Sequence, residues 1–536
     1  KNADAGTIVP IIETLPYALD PVEFFAKLTD YGRKKNSILL ESADIIAKYG
    51  ERSLGSADPC LVVKGKDENF EIAALNDLGK RFIALLKDDF DFCDKVIYGK
   101  DKIVGKLKPK RSLVSEEERL KLPNHMDIIR KIAFKFKPTA KPFVPYCGLF
   151  GSISYDFIDQ FEDLPENKKD IVKDPDYILY FLDNLFLIDH KAKKTYFVAN
   201  ALIMDGNKDE IYNRCKSKIQ FYRNTINKNK INTNIKNNNY KTKNIKIETD
   251  TGKKEFMGMV RKIKEHIKAG DVYQAVISRT ITANISKEPL DIYKKLRELN
   301  PSPYMFYIND TDGILLGSSP EMSLRVEGDG KKIVEIRPIA GTKPRGFIGN
   351  KIDVDLDSRY ETELKIDEKE VSEHTMLVDL ARNDVAKISV AGTRYVDEPF
   401  VVEKYSHVQH LVSNVRGILK PDLDALHAYM ATMNMGTLTG APKVEAMKLL
   451  RKYEKTKRGF YGGAVGYITP NNDLDSTIII RSIRIKNTRT KFGIHSVDKK
   501  AYVRAGAGIV YDSDPESEFI ETENKAKACL KAIGDD

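Results

Sequence analysis

Short apolar runs separated by polar turn residues recur along the chain, and most have the length and β-branched or aromatic content of strands. In the first half they are SILLESADI (37–45), CLVVKG (60–65), YILYFLDNLFLIDH (177–190) and KKTYFVANALIM (193–204). DPVEFFAKLTDYG (20–32) has a helical period instead. Because strands and helices follow in irregular order, we predict an α+β fold with antiparallel sheets packed as a sandwich and helices outside.

The second half continues this texture. DGILLGSSPEMSLRVEG (312–328) predicts a hairpin, and STIIIRSIRIK (476–486) and AYVRAGAGIVYDS (501–513) predict strands, the first of them carrying Arg481. Residues 224–254 are almost entirely Asn, Lys and Thr with isolated Ile, which is typical of a solvated linker or a long surface loop. We therefore predict an N-terminal part (1–223), this segment, and a chemically richer C-terminal part (255–536).

Composition excludes several classes of protein. The chain of 536 residues is 41% hydrophobic and 31% charged, which is typical of a globular protein. Its five cysteines form no CxxC pair and no disulfide framework, so reduced thiols and a cytoplasmic location are expected. The sequence shows no signal peptide pattern and no 18-residue apolar stretch, so we expect neither a signal peptide nor a membrane span. The net charge of +10 comes largely from stretches without interleaved aromatics, so we do not predict nucleic-acid binding.

Two acidic i, i+3 pairs are the most informative chemical feature. Glu370 and Glu373 begin one predicted helix, and Glu518 and Glu521 begin another. Each pair places two carboxylates on one helical face. Mg²⁺ is usually held by one or two carboxylates together with substrate and water oxygens, so four carboxylates predict a magnesium site if the two helices meet.

A purely local explanation exists for part of this pattern. Asp514 is a suitable N-cap with Pro515 at the first helical position, and acids in a first turn favour the helix dipole. Asp367 followed three residues later by Glu370 resembles a capping box. Glu370 can then be explained by helix capping alone, whereas no such local role accounts for Glu373, which is the better candidate for binding a metal ion.

Glycine-rich turns and two histidines add further candidates. PIAGTKPRG (338–346), NMGTLTGAPK (434–443), YGGAVGY (461–467) and RAGAGIV (504–510) can each bring backbone amides close to an anion. If YSHVQHLVSNVRG (405–417) is a strand, its two histidines face opposite sides, so only one can reach a site. A third nitrogen or sulfur ligand at suitable spacing is missing, which disfavours zinc.

Together these motifs resemble the large, chorismate-binding subunit (component I) of anthranilate synthase, in the chorismate-utilising enzyme family. The strings that carry the resemblance, in family order, are DVYQAVISR (271–279), NPSPYMFYI (300–308), GSSPEMSL (317–324), RPIAGTKPRG (337–346), SEHTMLVDLARND (372–384), YSHVQHLVSNVRG (405–417), MNMGTLTGAPKVEAMKLL (433–450), YGGAVGY (461–467), DLDSTIIIRS (473–482) and AGAGIVYDSDPESEFIETENKA (505–526). The first half matches more thinly, in LLESADI (39–45), FGSISYDFIDQFEDLP (150–165) and LIDHKAKK (187–194).

The resemblance implies a role for each matching residue. Glu373 and Glu521 would be direct Mg²⁺ ligands, with Glu370 and Glu518 as an outer acidic shell. His410, rather than His407, would be the general acid that assists loss of the ring 4-hydroxyl of chorismate as ammonia adds, with Thr437 as a second catalytic residue. The implied substrate contacts are Gln274, Gly341, Thr342, Thr437, Tyr461, Arg481, Gly506, Gly508 and Lys525.

Two positions separate related activities on this scaffold. Isochorismate- and salicylate-forming relatives place a water-activating lysine where this chain has Gln274. Aminodeoxychorismate synthase carries a nucleophilic lysine where this chain has Ala340, and Lys343 is displaced from that position. The sequence therefore favours a lyase that forms anthranilate, with aminodeoxychorismate synthase component I and a non-catalytic tryptophan or metabolite sensor as alternatives.

The resemblance also implies regulation and a partner. The residues that match the family's L-tryptophan feedback pocket are Leu40, Glu41, Ser42, Arg52, Pro303, Tyr304, Met305, Val465 and Tyr467. Arg52 stands where relatives can have lysine and Thr477 where some have cysteine, and a polar pair on an edge strand is the simpler explanation for Glu41 and Ser42. No Gly-x-Cys-x-Gly elbow is present, so we expect a separate glutamine amidotransferase subunit to supply ammonia from glutamine.

Overall fold

A computed structural model describes residues 3–43, 52–108, 121–139, 146–166, 169–204, 206–228, 246–349, 351–405, 408–488 and 498–534. Strands and helices are numbered in chain order. The first large sheet has the order β13 (Ile247–Thr249), β14 (Gln274–Ile285), β28 (Asp498–Ile509), β27 (Ser482–Thr488), β16 (Ile314–Ser319), β15 (Tyr304–Asn309), β2 (Ser37–Glu41), β3 (Arg52–Ser56), β11 (Asn184–Asp189), β12 (Lys194–Leu202), β1 (Thr7–Leu15), β8 (Lys137–Pro138), with β24 (Gly440–Ala441) paired to β14.

The second large sheet is antiparallel throughout the described residues. Its order is β19 (Ile339–Pro344), β23 (Val408–Ile418), β18 (Ile333–Ile336), β17 (Met322–Glu327), β26 (Leu474–Ile478), β25 (Ala464–Ile468), β9 (Gly148–Ile153), β10 (Tyr177–Leu182), β4 (Leu61–Lys66), β5 (Asn69–Ala74), β7 (Lys102–Lys106), β6 (Lys95–Tyr98), with β22 (Tyr395–Lys404) paired to β23. A small hairpin joins β20 (Phe347–Ile348) to β21 (Lys351–Ile352). In the first sheet only the short β1–β8 pairing among the described strands is parallel.

The helices lie outside the two sheets. They are α1 (Pro21–Leu28), α2 (Asp77–Leu85), α3 (His125–Ala133), α4 (Lys208–Ile226), α5 (Lys253–Ala269), α6 (Pro289–Leu299), α7 (Val354–Ile366), α8 (Glu368–Ile388), α9 (Ala425–Thr432), α10 (Gly436–Thr439), α11 (Lys443–Tyr453) and α12 (Pro515–Ile533), and a 3₁₀ turn spans Tyr155–Gln160.

Three layers of apolar side chains hold the sandwich together. The middle layer joins the two sheets and includes Ile38 and Ile308 of the first sheet and Val62 and Phe150 of the second. One outer layer packs the first sheet against helices that include α1, α4, α6 and α12, and the other packs the second sheet against helices that include α2, α3, α8 and α11. The predicted α+β sandwich with helices outside is therefore confirmed.

The predicted hairpin at 312–328 is wrong. Its two strands are β16 and β17, and they belong to different sheets because the chain crosses the sandwich at Pro320 and Glu321. Residues 177–190 cross in the same way between β10 and β11. β10, β11 and β16 are buried on both faces along almost their whole length, so they show no regular alternation of polar and apolar residues that would reveal which sheet each strand joins.

Arg481 is a second correction. The predicted strand over 476–486 is two strands, β26 in the second sheet and β27 in the first. Arg481 lies at the crossing between them, with a left-handed backbone at φ 47° rather than a strand conformation. A left-handed non-glycine residue at such a crossing is typical of a functional position.

The segment 224–254 is partly regular at both ends. Helix α4 continues to Ile226, β13 pairs with β14 from Ile247, and α5 begins at Lys253. Residues 229–245 lie outside the described part of the chain. Both predicted parts, 1–223 and 255–536, contribute to each large sheet: the strands of each part lie side by side, and the two sets join at β15–β2 in the first sheet and at β25–β9 in the second.

Candidate active site

The carboxylates of the two acidic helices lie close enough to influence one another electrostatically. Asp367 caps α8 by accepting from the Glu370 backbone N–H at 3.3 Å, and Asp514 caps α12 by accepting from the Ser517 backbone N–H at 2.9 Å. Burial raises the pKa of Glu373 to about 7, and the charges of carboxylates on both helices add to that increase. The contributing carboxylates are Glu370, Glu518 and Glu521.

Glu370 is not confined to a capping role. A Cβ atom at Gly341 would lie 3.0 Å from Glu370 Oε2, so this carboxylate faces the glycine turn of β19 across the site. Glu521 Oε1 forms an ion pair with Lys525 Nζ at 2.5 Å, and the same ammonium donates to the Gly506 carbonyl at 3.2 Å. The acids of α8 and α12 therefore share one region with β19 and β28.

The donor set fits a hard divalent cation. Glu518 is buried, and its Oε2 accepts no hydrogen bond from any described residue. A cation would supply that missing partner and remove the repulsion among the four carboxylates. Within the described ranges no group of three or more His, Cys, Asp or Glu side chains is placed so that it could hold a metal ion by itself. Mg²⁺, however, needs only one or two protein carboxylates.

His410 is held in one orientation. It is buried on β23, and its Nδ1 lies 2.9 Å from the Gly341 carbonyl oxygen and 3.0 Å from Thr342 Oγ1. Because a carbonyl can only accept, Nδ1 carries the proton and Nε2 keeps a lone pair in the neutral ring. Burial, together with the charges of Arg481 and Lys525, lowers the His410 pKa to about 4. The ring is therefore neutral at pH 7 without ligand. His407 lies outside the described residues.

Glu321 is a candidate functional residue that the sequence analysis missed. It lies where the chain crosses from β16 to β17, is buried, and its Oε1 has no hydrogen-bond partner among the described residues. Burial raises its pKa to about 8, against the opposing effects of the Thr437 hydroxyl, Lys525 and Arg481. A glutamate within the apolar run of residues 314–326 is itself unusual, and that signal could have identified it.

Arg481 and the glycine strand complete the site. The half-buried Arg481 donates from NH1 to Asn300 Oδ1 at 3.5 Å. On β28 a Cβ at Gly506 would lie 3.2 Å from the Tyr461 hydroxyl, and one at Gly508 would lie 2.8 Å from Gln274 Nε2. Glycine therefore lets these two polar side chains approach the strand. The Gln274 Oε1 is buried without a partner among the described residues.

All of the residues predicted from the tryptophan-pocket pattern line a single cavity between the sheets. The cavity encloses about 340 Å³ and also includes Arg325, Asp475 and Thr477. The hydroxyl of Tyr304 donates to Asp475 Oδ1 at 3.1 Å and accepts from Arg325 at 3.1 Å. The residues predicted for this pocket and found in its lining are Leu40, Glu41, Ser42, Arg52, Pro303, Tyr304, Met305, Val465 and Tyr467.

Strand alternation directs two of these side chains away from the cavity. Glu41 pairs with Met305 across β2 and β15. The Glu41 carboxylate accepts from the Tyr293 hydroxyl at 2.8 Å and from Arg297 at 2.6 Å, both on α6 outside the sheet. Met305 packs in the outer layer on the same side. These two residues therefore face the helices and line the cavity through their backbone.

Comparison with known proteins decides the family. The family described as chorismate binding enzyme matches residues 89–531. The chain belongs to this family. It is 40% identical to anthranilate synthase component 1 of Vibrio cholerae over 521 residues, covering 97% of this chain and 95% of that protein. It is 40% identical to anthranilate synthase component 1 of Escherichia coli over 520 residues, covering 96% of this chain and 95% of that protein.

A solved structure agrees with these sequence relatives. The crystal structure of anthranilate synthase component I from Streptococcus pneumoniae superposes with a TM-score of 0.68 at 28% identity, covering 89% of this chain and 92% of that one. The chain is therefore a chorismate-binding enzyme whose relatives are anthranilate synthase component I proteins. No helix in the described ranges is long and apolar enough to cross a membrane.

Proposed function

We propose that this chain converts chorismate and ammonia to anthranilate, pyruvate and water. The observation that carries the proposal is that Glu370 of the acidic helix α8 lies against the Gly341 turn, whose carbonyl accepts from His410. The carboxylates of α12 and the Arg481 guanidinium lie close enough to influence these groups. Chorismate is a dianion, and a site with acids at one end and a half-buried guanidinium at the other suits its two carboxylates when a cation neutralises the acids.

Mg²⁺ is the proposed cofactor, and Glu373 and Glu521 would hold it directly, with Glu370 and Glu518 outside them. When bound, it would supply a positive charge to the ring carboxylate of chorismate. Arg481, the hydroxyl of Tyr461 and the backbone of Gly506 and Gly508 would bind the enolpyruvyl carboxylate. Gly341, Thr342, Gln274 and Lys525 complete the proposed contacts.

The proton roles follow from the pKa shifts. In the first step ammonia forms a C–N bond to the ring and the 4-hydroxyl leaves as water, which requires a proton donor. Glu321, with a pKa of about 8, carries a proton at neutral pH and is our proposed donor, with Thr437 beside it. This assignment replaces His410 as the general acid, because its ring is neutral at that pH.

In the second step the ring loses a proton and the enolpyruvyl C–O bond breaks, releasing pyruvate and leaving the aromatic ring. The step requires a base at neutral pH. His410 has its Nδ1–H donated to the Gly341 carbonyl, so Nε2 is available to accept that proton. We assign this acceptor role to His410 and keep it as a catalytic residue.

Ammonia is the proposed nucleophile. Gln274 and Ala340 cannot activate water or attack covalently as a lysine would. We infer that a glutamine amidotransferase subunit supplies ammonia from glutamine, as the name component 1 of the relatives implies a second component. The inter-sheet cavity is our proposed site for L-tryptophan as feedback inhibitor, because its lining combines apolar side chains with charged and polar ones, which suits a ligand with an apolar ring and a charged amino-acid group.

One assay tests the proposal. The purified chain is incubated with chorismate, Mg²⁺ and ammonium, and anthranilate fluorescence and pyruvate are followed with and without tryptophan. Equal amounts of anthranilate and pyruvate are expected, with loss of rate on adding EDTA or tryptophan. An aminated chorismate without pyruvate would indicate the aminodeoxychorismate synthase reaction instead. Binding of tryptophan without any turnover would indicate a sensor.

A further inference from the structure

One buried guanidinium outside the substrate site joins three segments of the chain. Arg458 NH2 donates to the Val276 carbonyl of β14 at 2.6 Å, and NH1 donates to the Leu438 carbonyl of α10 at 2.6 Å. Its Nε and NH2 also donate to the two carboxylate oxygens of Glu454, after α11, at 3.0 and 2.7 Å. All of its attachment points are therefore fixed by one rigid planar group.

The first two attachment points adjoin side chains that we assign to the substrate site. Val276 lies two residues after Gln274 on β14, so their side chains are on the same face of the strand. Leu438 directly follows Thr437 in the short helix α10. Movement of either carbonyl would therefore move Gln274 or Thr437 relative to the substrate.

The same arginine also supports Tyr461. The Tyr461 backbone N–H donates to the Arg458 carbonyl at 3.3 Å, and the guanidinium carbon lies 5.9 Å from the centre of the Tyr461 ring. On the other side it lies 4.5 Å from the centre of the Tyr155 ring. Both distances are within the range of a cation–π interaction, and the contacts hold the Tyr461 ring in position beside Gly506.

A second arginine, Arg504, also contacts β14 and Glu454 and so helps to hold the Arg458 guanidinium in place. Arg504 NH2 donates to Glu454 Oε2 at 2.9 Å, and its other nitrogens donate to Ser278 Oγ at 2.8 Å and Thr456 Oγ1 at 3.1 Å. Glu454 therefore accepts from both guanidinium groups as well as from the Ser278 backbone N–H. The carboxylate orients the Arg458 fork.

We propose that Arg458 is a positioning residue for the reaction: it fixes the mutual geometry of Gln274, Thr437 and Tyr461 without contacting the substrate. The inference rests on the proposed function. Displacement of substrate-holding groups by about 1 Å can reduce turnover by about 10²-fold. A lysine would keep the charge but could not donate to two carbonyls and a carboxylate at once.

A matched control exists in the same molecule. Arg484 is also buried, donates to Asp174 and Asp310 at 2.8 Å each, and lies 5.3 Å from the centre of the Phe460 ring. Neither aspartate is assigned to the substrate site. Phe460 precedes Tyr461, but Arg484 contacts only the Phe460 ring, and its guanidinium donates to side chains rather than to a backbone carbonyl next to a substrate-holding residue. Arg484→Lys should therefore cost similar folding stability with much less displacement of substrate-holding groups.

The test compares Arg458→Lys with Arg484→Lys in the full chain. Thermal unfolding is measured together with kcat and KM for chorismate, at saturating Mg²⁺ and ammonium. We expect kcat/KM to fall by about 30- to 100-fold in Arg458→Lys, with a rise in KM for chorismate and an unchanged KM for ammonium. Arg484→Lys should stay within about threefold of wild type at a similar loss of Tm.

Glu454→Gln is the second variant, because it keeps the size of the side chain but replaces one acceptor oxygen by an NH2 donor, which breaks part of the hydrogen bonding to the Arg458 guanidinium. It should raise KM for chorismate in the same direction by a smaller factor. Equal kcat/KM in Arg458→Lys and Arg484→Lys would overturn the positioning role. If wild type forms no anthranilate, the proposed function fails, and the Kd of chorismate in the same variants, measured by calorimetry, still tests the inference: equal Kd values would overturn it.

Discussion

His410 Nδ1 lies 2.9 Å from the carbonyl oxygen of Gly341, the residue whose left-handed turn also faces Glu370. One glycine therefore fixes the histidine tautomer and approaches the acidic helix at the same time. Its φ of 70° is unfavourable for other residues, and a Cβ there would meet both Glu370 and Leu364. The orientation of the proposed base thus depends on a backbone conformation that favours glycine.

Replacing His410 by Met should stop the second step while leaving the first. Because Met cannot accept the ring proton, anthranilate formation should fall by about 10²- to 10⁴-fold, and aminated chorismate should accumulate without pyruvate. Chromatography of the reaction mixture checks this result. His125→Gln is the control, since His125 is buried and hydrogen-bonded to Tyr177 far from these helices. Undiminished anthranilate formation would remove His410 from the mechanism.

Replacing Glu321 by Gln should slow chorismate consumption itself by about 10²-fold or more, because the amide cannot release a proton. It should also change how stability depends on pH. The pKa of Glu321 is raised to about 8 in the folded state, so the folded protein holds a proton there that the unfolded chain has already lost. The free energy of unfolding of wild type therefore falls as the pH rises from the unfolded-state pKa of Glu321 through 8. The variant should therefore gain about 2–3 kcal/mol relative to wild type between pH 6 and pH 9. Urea unfolding at both values measures this difference.

Removing one carboxylate of the acidic cluster should make the metal-free protein more stable and abolish its stabilisation by Mg²⁺. Glu373→Gln relieves repulsion and burial of charge, so the metal-free protein should melt at a higher temperature. The rise in Tm that Mg²⁺ gives wild type should be lost, as should Mg²⁺-dependent turnover. Glu368→Gln, an exposed acid at the start of the same helix, is the control. An unchanged Mg²⁺ response in Glu373→Gln would falsify the ligand assignment.

Tryptophan binding can be followed by its own fluorescence, because the chain contains no tryptophan. Tyr467→Ala, which enlarges the cavity between the sheets, should weaken tryptophan binding at least about tenfold while leaving ammonia-dependent turnover within about threefold. Met305→Leu should leave the Kd within about twofold, since the Met305 side chain packs on the helix side. Equal Kd values for the two variants would move the tryptophan site elsewhere.

Local signals in the sequence predicted local structure well. Asp514 with Pro515 predicted the start of α12. The acidic pairs predicted a magnesium site only if the two helices meet; their carboxylates lie close enough to influence one another, and the magnesium site itself stays a prediction. Capping and helical period depend on neighbours within a few residues, so the sequence contains them directly.

Features that depend on distant contacts could not be obtained in this way. The sequence pattern does not reveal the crossing at Glu321, because β16 is buried on both faces and two strands joined by a short Pro-containing connection have the same pattern as a hairpin. The left-handed conformation of Arg481 follows from the same kind of crossing. The low pKa of His410 and the high pKa of Glu321 arise from burial by segments far away in the chain. Only the assembled sandwich shows which residue carries the proton.

The alternation of strands between the two sheets has a consequence for biosynthesis. β28 is made long after β14, yet it lies inside the first sheet between β14 and β27 and pairs with β14 over Ala275–Ile285. Until β28 has been made, this edge of β14 lacks its neighbour and exposes unpaired backbone N–H and C=O groups. Contacts of such large sequence separation slow folding. The first sheet therefore closes only after β28 has left the ribosome, and a chain shortened before Asp498 should be prone to aggregation.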